Sequence, residues 1–186
     1  NLYMCGNHGD PMMAPEALEI CQWLKEVNPK IRIAMNTNGG ARTPDWWARL
    51  AKTIDHVTFS VDGLEDTNHL YRQGVSWDKV EENMAAFCDA GGIAKWEFLV
   101  FKHNEHQRDE AKLWSDTLGV TTFSVKKSGR YISSATLEKK DSHQSKDRHE
   151  QHTQLLEPPT MERFKNKASA QFDQISAKFG SMDSYL

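Results

Sequence analysis

Segments with the pattern of β-strands alternate with segments typical of α-helices through the first two-thirds of the sequence. The five predicted strands are short, apolar and rich in Val, Ile and Phe, at residues 2–5, 31–35, 56–61, 94–101 and 120–125. The four predicted helices carry one apolar face, at residues 15–27, 78–90, 107–118 and in the segment that Thr43 and Pro44 open as N-cap and first helical residue. Parallel strands need long crossover connections, which such helices provide. The alternation therefore predicts an α/β fold built on one parallel sheet.

Composition narrows the class of protein further. The 186 residues suffice for one domain with a sizeable core, and a formal net charge of −3 argues against nucleic acid and acidic membrane surfaces as partners. No apolar run approaches the ~20 residues that cross a bilayer, and no signal peptide is visible, so we expect a cytoplasmic protein with no membrane partner. Cys5, Cys21 and Cys88 are too widely spaced for a disulfide framework or a metal motif, so we expect buried thiols.

Polar residues and glycines follow every predicted strand. These strand ends are Gly6-Asn7-His8-Gly9-Asp10-Pro11, Asn36-Thr37-Asn38-Gly39, Ser60 with Asp62, Lys102-His103-Asn104 and Lys126-Lys127. Parallel α/β sheets bind their ligands at the carboxyl ends of the strands. Glycines let a ligand approach the backbone, while amides, hydroxyls and carboxylates hydrogen-bond it. Each strand end alone is explained by turn chemistry, but the five together predict a ligand site.

The order of these strand ends resembles the motifs of radical SAM enzymes over about two-thirds of the chain, as far as Arg130. The segment Gly6–Pro11 is similar to the Gly-Gly-Glu-Pro type motif, with Asp10 in the place of the glutamate. Asn36-Thr37-Asn38-Gly39 resembles the Thr-Asn-Gly motif that ends the following strand. Phe59-Ser60-Val61-Asp62-Gly63 resembles the Ser-x-Asp-Gly motif of the next strand. The loop with Tyr71-Arg72 is similar to that of members with a SPASM-type C-terminal domain, which carry an arginine near the carboxylate of S-adenosylmethionine (SAM).

The resemblance implies a fold and a division into two parts. Residues 1–130 would be a partial (β/α) barrel with parallel strands, containing five strands and four helices of a six-strand radical SAM core. Residues 131–186 would be a mostly irregular extension leading to a further C-terminal domain. Within it, composition predicts a solvated or disordered linker at 138–154, a short extended patch at 155–159 and a weakly amphipathic stretch at 161–179.

The resemblance also implies cofactors and a reaction. SAM would bind beside a [4Fe–4S] cluster, and an electron donor such as a flavodoxin or ferredoxin would supply one electron. The 5′-deoxyadenosyl radical formed from SAM would then abstract a hydrogen atom, and SPASM-type relatives favour a peptide or protein substrate. The residues expected to contact SAM are Gly6, Asn7, Gly9, Asp10, Asn36, Asn38, Ser60, Asp62, Arg72 and Asn104. Asp10 would accept the methionyl ammonium, Arg72 would donate to the carboxylate, and Ser60 and Asp62 would face the ribose or that carboxylate.

One motif of the family is absent from the sequence. The CxxxCxxC loop that holds the cluster precedes the Gly-rich motif in family order, and this chain begins at Asn1. We therefore expect cluster ligands upstream of Asn1, no metal ligands in this chain, and an N-terminally truncated fragment that is inactive alone. Two other classes of function stay open. One is a non-catalytic, doubly wound small-molecule binding domain, and the other is a (β/α) barrel lyase or aldolase with Lys102 or Lys126 as a Schiff-base lysine.

Overall fold

The structure is a computed structural model that describes residues 1–6, 9–131, 142–146 and 153–165. Its main sheet has five parallel strands in chain order: β1 Leu2–Met4, β2 Ile33–Thr37, β3 His56–Ser60, β4 Ala94–Val100 and β5 Thr122–Lys127. Crossovers of a single hand between sequential neighbours place the connecting helices on one face of the sheet. A doubly wound sheet reverses its strand order at a switch point, and this sheet does not. The predicted partial barrel is confirmed, and the doubly wound alternative does not fit.

Five helices connect or follow these strands: α1 Ala17–Val27, α2 Pro44–Ala51, α3 Asn68–Tyr71, α4 Trp77–Asp89 and α5 Arg108–Thr117. The four long ones confirm the predicted helices. Helix α2 begins as the sequence predicts, because Thr43 Oγ1 accepts the Trp46 N–H at 3.3 Å and Pro44 occupies the first turn. Helix α3 lies in a segment predicted as a loop, since a single turn is too short to show helical periodicity.

Strand β4 shows how the sheet separates its two faces. Trp96, Phe98 and Val100 are fully buried against the helices, while the alternate residues, Glu97 and Leu99 among them, are half-buried on the other face. We call this second face the open face; its residues on successive strands, set by register, are Asn36, Thr58, Ser60, Lys95, Glu97, Leu99, Ser124 and Lys126. The open face is the polar side of the sheet, and the other side forms the apolar core.

The end of helix α4 packs too closely for a side chain at Gly92. The Gly92 N–H donates to the Phe87 carbonyl at 3.0 Å, and a Cβ there would lie 2.4 Å from Cε1 of the Phe87 ring. We expect Gly92→Ala to lower the free energy of unfolding by about 2 kcal/mol through overpacking, measured by urea denaturation. Gly74→Ala is the control, because Gly74 has a positive φ of 76° but no atom within 4 Å of its Cβ position. Gly74→Ala thus measures backbone strain without crowding, and an absence of any cost in Gly92→Ala would contradict steric crowding.

Part of the segment predicted as a polar linker is structured, which corrects that prediction. Strand β6 His143–Lys146 pairs antiparallel with β7 Thr153–Leu156. Leu156 is buried in a small apolar cluster with Phe101 and Tyr131, so the barrel supplies the apolar contact that the polar sequence lacks. The rest of the predicted linker, and the predicted amphipathic stretch beyond a 3-10 turn at Glu162–Phe164, lie outside the described residues.

The segment after β7 is attached to the connection between β4 and α5. The Glu105 carboxylate accepts the backbone N–H groups of Thr160 at 2.8 Å and Met161 at 3.2 Å. Lys102 pairs with Glu157 at 2.7 Å, and Phe164 is buried in the main core. These contacts hold residues 157–165 against the carboxyl end of β4.

Candidate functional site

The turn after β1 is tied to the end of β2 through Asp10. Asp10 Oδ2 accepts the Asn38 N–H at 2.7 Å and the Thr37 hydroxyl at 3.0 Å, while Oδ1 accepts the Met12 N–H at 3.3 Å. Burial raises the pKa of Asp10, although these hydrogen bonds act against it. A carboxylate offers about four lone-pair positions, so three donors leave room for one more. Asn7 and His8 of the same turn lie outside the described residues.

The end of β2 contributes two amides. Asn36 lies on the open face, and its Oδ1 accepts the Tyr3 hydroxyl at 2.6 Å. Asn38 Oδ1 accepts the Gly40 N–H at 2.9 Å, which fixes the turn after the strand. Both amide groups are thereby held in one orientation beside Asp10.

The turn after β3 is built around the buried carboxylate of Asp62. Its Oδ2 accepts from Arg72 Nε at 2.7 Å and Nη2 at 2.6 Å, and its Oδ1 accepts the Leu99 N–H at 2.7 Å. The Asp62 N–H donates to Asn68 Oδ1 at 3.0 Å, so α3 also holds the turn. Burial raises the pKa of Asp62, and the charge of Arg72 and the Leu99 N–H act against it. Both oxygens of Asp62 are therefore engaged within the protein, and the contact of Oδ2 with Arg72 fixes the orientation of the guanidinium.

Gly63 lets α3 approach this turn closely. A Cβ at Gly63 would lie 2.3 Å from Thr67 Oγ1 and 2.6 Å from the Asn68 backbone nitrogen. The residue also has a φ of 156°. Only glycine fits there, which explains why the turn carries it.

Arginine side chains flank the ring of Tyr71 next to this ion pair. The Arg72 guanidinium lies 4.8 Å from the ring centroid and that of Arg130 lies 5.3 Å from it. Arg72 is thus fixed by the carboxylate of Asp62 and by the ring of Tyr71. A guanidinium held in this way presents its remaining N–H groups in a defined direction.

These strand ends enclose a cavity of about 170 Å³, which we call the strand-end cavity; it is lined by Cys5, Gly6, Asp10, Asn36, Thr37, Asn38, Ser60 and Arg72. The structure thus brings together six of the predicted site residues: Gly6, Asp10, Asn36, Asn38, Ser60 and Arg72. Gly9, Asp62 and Asn104 do not line it. The cavity presents a carboxylate, a guanidinium, a hydroxyl and amides, which complement a ligand with an ammonium, a carboxylate and hydroxyl groups.

Two residues of the cavity were not predicted as ligand contacts. Thr37 stands between two predicted residues in the Asn-Thr-Asn-Gly segment, and its position there was the available signal. Cys5 was expected to be a buried thiol and is exposed instead, because β1 ends at Met4 and the chain has already left the sheet. Cys21 is buried as predicted, and Cys88 is half-buried.

The polar residues after β4 serve the fold. Asn104 is fully buried; its Nδ2 donates to the carbonyls of Asp62 at 2.7 Å and Leu99 at 2.9 Å, and its Oδ1 accepts the Phe101 N–H. His103 stacks on the Phe101 ring at 5.3 Å, and burial lowers its pKa to about 4. The residues after β4 therefore stabilise the turn after β3 through hydrogen bonds to its backbone.

The described residues can also be compared with the requirements of metal binding and of Schiff-base catalysis. They contain no group of three His, Cys, Asp or Glu side chains placed to hold a metal ion. Lys102 and Lys126, the candidate Schiff-base lysines, have side chains 48% and 49% exposed and paired with Glu157 and Glu97. A Schiff-base lysine requires a desolvated amine, so this arrangement does not favour the lyase alternative. Within the same described part, no helix has the length and apolar character that crossing a membrane requires.

A larger cavity of about 370 Å³ lies elsewhere, between the turn after β3 and the beginnings of α4 and α5. Its walls include Trp77, Trp114 and three acidic side chains. It shares no lining residue with the strand-end cavity, and none of the residues at the five predicted strand ends lines it. Volume alone therefore does not identify the functional cavity.

Comparison with known proteins gives a family and a set of similar folds. The family model described as the radical SAM superfamily matches residues 8–113. No curated protein sequence matches the chain.

Solved structures with a similar fold include Streptococcus suis SuiB bound to precursor peptide SuiA, at 20% identity and a TM-score of 0.58, over 74% of this chain and 31% of that chain. Native anSMEcpe with bound AdoMet and Cp18Cys peptide is 18% identical with a TM-score of 0.53, over 66% and 37% of the two chains. A domain of a pyruvate-formate lyase-activating enzyme from Bacteroides vulgatus is 14% identical with a TM-score of 0.58, over 96% and 94%. The chain spans about a third of the length of the SuiB chain it matches.

Proposed function

The chain belongs to the radical SAM superfamily, and from this membership we propose that its strand-end cavity binds SAM in an enzyme that carries out SAM-dependent radical chemistry. When bound, SAM would supply a 5′-deoxyadenosyl radical that abstracts a hydrogen atom from the substrate. The proposal depends mainly on one observation: the groups that line the cavity match the polar groups of SAM.

The match extends to charge. Asp10 is a half-buried carboxylate with capacity for one further donor, and it suits the methionyl ammonium. Arg72 lines the same cavity and suits the methionyl carboxylate, with Asp62 holding it in place. Ser60, Asn36 and Asn38 supply neutral hydrogen-bonding groups for the ribose. Cys5 lies at the cavity as an exposed thiol, so the cofactor would contact it as well.

The described residues fit SAM but do not fit a [4Fe–4S] cluster. Cys5 is the single cysteine that lines the cavity. In the described part of the chain, no group of three His, Cys, Asp or Glu side chains is placed to hold a metal. We propose that cluster ligands are supplied from outside these residues, and that an electron donor such as a flavodoxin or ferredoxin reduces the holoenzyme. The role of this chain's own residues is to bind and orient SAM.

We further propose that the enzyme is of the SPASM type and acts on a peptide or protein. Support comes from the Tyr71-Arg72 pair after the Ser-x-Asp-Gly segment and from the fold shared with SuiB, a protein whose solved structure contains a precursor peptide. In this arrangement residues 1–130 form the barrel unit. Residues 131–186 would connect it to a further domain. Within this connection, β7 and the segment after it lie against the carboxyl end of β4.

The role of Asp10 can be tested by binding measurements. We expect Asp10→Asn to weaken SAM binding about tenfold, because the amide cannot offer a charged acceptor to the ammonium. Isothermal titration calorimetry of SAM into the purified chain measures this. Asp55→Asn is the control, since Asp55 pairs with Lys25 at the opposite end of the strands. Equal loss of affinity in the two variants, or none in Asp10→Asn, would argue against the assigned role.

A further inference from the structure

We propose that Lys126 and Arg130, which lie at and just after the end of β5, bind a carboxylate of the substrate, namely an acidic residue of a peptide. This inference rests on the proposed function, because it takes the strand-end cavity as the SAM site. It adds a substrate-binding surface beside that cavity and the chemical class of residue that the surface recognises.

The position of Lys126 follows from the register of the sheet. Ser60 of the strand-end cavity lies beside Glu97 of β4, and Glu97 lies beside Ser124 of β5, all on the open face. Lys126 is the next open-face residue of β5, and its amine pairs with Glu97 at 3.1 Å. Two strand spacings of about 4.8 Å separate β3 from β5, and Lys126 lies two residues beyond the register position of Ser60, so its backbone is roughly 12 Å from that of Ser60. A substrate that reaches the reacting end of SAM over this face would lie within reach of its amine.

The position of Arg130 follows from its contact with Tyr71. Its guanidinium lies 5.3 Å from the Tyr71 centroid, and its positive charge acts on Asp62. Asp62 in turn accepts the N–H of Leu99, which is the register neighbour of Lys126. Leu99 and Tyr71 pack against the same small apolar cluster, so Lys126, beside Leu99, and Arg130, on the Tyr71 ring, both lie near that cluster.

Among the described residues, the exposed side chains at the ends of β4 and β5 on the open face carry more positive than negative charge, although the whole chain carries −3. Lys126 is 49% exposed and Arg130 is exposed, whereas Glu97, at 37%, is the acidic side chain that faces them from the open face. Of the other nearby carboxylates, Asp10 and Asp62 accept internal hydrogen bonds, and Glu157 is paired with Lys102 at 2.7 Å. With Arg72 assigned to SAM and the Lys102–Glu157 pair neutral, Lys126 and Arg130 face Glu97 in the described part of the chain.

Charge complementarity therefore favours an anionic group of the substrate. Glu97 holds the Lys126 ammonium in place through one contact, and an ammonium has three donors, so others remain for a ligand. A carboxylate placed between an ammonium and a guanidinium forms charge-assisted hydrogen bonds with both. Glu97 would at the same time repel a carboxylate on its own side of Lys126, which restricts binding to a carboxylate that approaches the ammonium from the side away from Glu97.

The test uses three synthetic peptides of equal length, labelled with a neutral fluorophore, that differ only in carrying central Glu, Gln or Lys residues. Fluorescence anisotropy measures their binding to the full chain with SAM present. We expect the Glu peptide to bind about five- to tenfold more tightly than the Gln peptide and the Lys peptide to bind most weakly. The preference should decline as salt concentration rises, because part of the attraction is screened.

Two variants and a matched control assign the preference to residues. Lys126→Gln and Arg130→Gln should each reduce the preference for Glu over Gln severalfold, and Lys126→Gln should do so without changing SAM affinity. Lys127→Gln removes the same charge from the adjacent residue, which alternates to the other face of β5, and should keep the preference. Circular dichroism establishes that each variant is folded.

The outcomes separate this inference from the proposed function. If SAM binds but the Glu peptide shows no preference, or if Lys127→Gln has the same effect as Lys126→Gln, the inference is wrong and the SAM site stands. If SAM does not bind to the chain, the proposed function itself fails. If the Glu peptide binds both variants as tightly as the unmodified chain, other residues recognise its carboxylates, and the inference is wrong.

Discussion

Replacing Asp62 with alanine is expected to lower the free energy of unfolding by about 3–5 kcal/mol. The substitution leaves the Arg72 guanidinium without its partner and removes the acceptor of the Leu99 N–H. Both losses occur at a carboxylate that is only 1% exposed, where water cannot replace the missing group. The turn that follows Ser60 would loosen at the same time, so SAM affinity should fall with stability.

Urea denaturation followed by circular dichroism measures the cost, and Asp55→Ala provides the comparison. Asp55 also pairs with a cation and accepts a backbone N–H, but its side chain is 30% exposed. Its loss should cost only about 1 kcal/mol, because an exposed pair contributes little. If the two substitutions cost the same, burial of the Asp62–Arg72 pair does not determine its contribution.

Replacing Arg72 with glutamine is expected to weaken SAM binding roughly tenfold to a hundredfold. Glutamine can still donate one hydrogen bond to Asp62, but it offers no positive charge to the methionyl carboxylate. Calorimetric titration with SAM measures the change. Arg49→Gln is the control, since Arg49 is an exposed arginine on α2 that does not line the strand-end cavity. Similar affinities for Arg72→Gln and the unmodified chain would remove Arg72 from the site.

The stability of the same variant should depend on pH more strongly than that of the unmodified chain. Burial already raises the pKa of Asp62, and Arg72 is the largest influence that lowers it. Without the guanidinium, the folded-state pKa of Asp62 rises further above the unfolded value of 3.8. The folded state then binds a proton more tightly than the unfolded state, so stability is highest at pH values below 3.8 and declines as pH rises through the folded-state pKa. Urea denaturation of Arg72→Gln at a series of pH values measures this; a profile parallel to that of the unmodified chain would contradict it.

The strand and helix pattern could be predicted from the sequence because the apolar side chains packed between sheet and helices, and the helical periodicity, are visible in it. All five strands and four long helices lie where the pattern predicts them, within a few residues at each end. Helix α3 and strand β6 could not be predicted in this way. One is a single turn stabilised by its place beside Gly63, and the other is a polar strand whose pairing with β7 depends on contacts that Leu156 makes with the barrel.

The residues of the site were predicted in part, for a physical reason. Residue type and strand-end position indicate which side chains can reach the carboxyl edge, and Asp10, Ser60 and Arg72 do line one cavity. They do not indicate which polar groups the fold uses for itself. Asn104 and Asp62 are polar residues at strand ends like the others, yet their hydrogen bonds go to backbone and side-chain groups of the turn they support. Only the three-dimensional structure separates these two uses.

Chemical-shift mapping of the ¹⁵N-labelled chain with SAM detects weak binding and identifies the residues that the ligand affects. We expect binding in the strand-end cavity, with the largest shift changes on the backbone amides of Gly6, Asn38, Ser60 and Arg72. Changes concentrated instead at the larger cavity, around Asp66 and Trp114, or no change at any described residue, would contradict it.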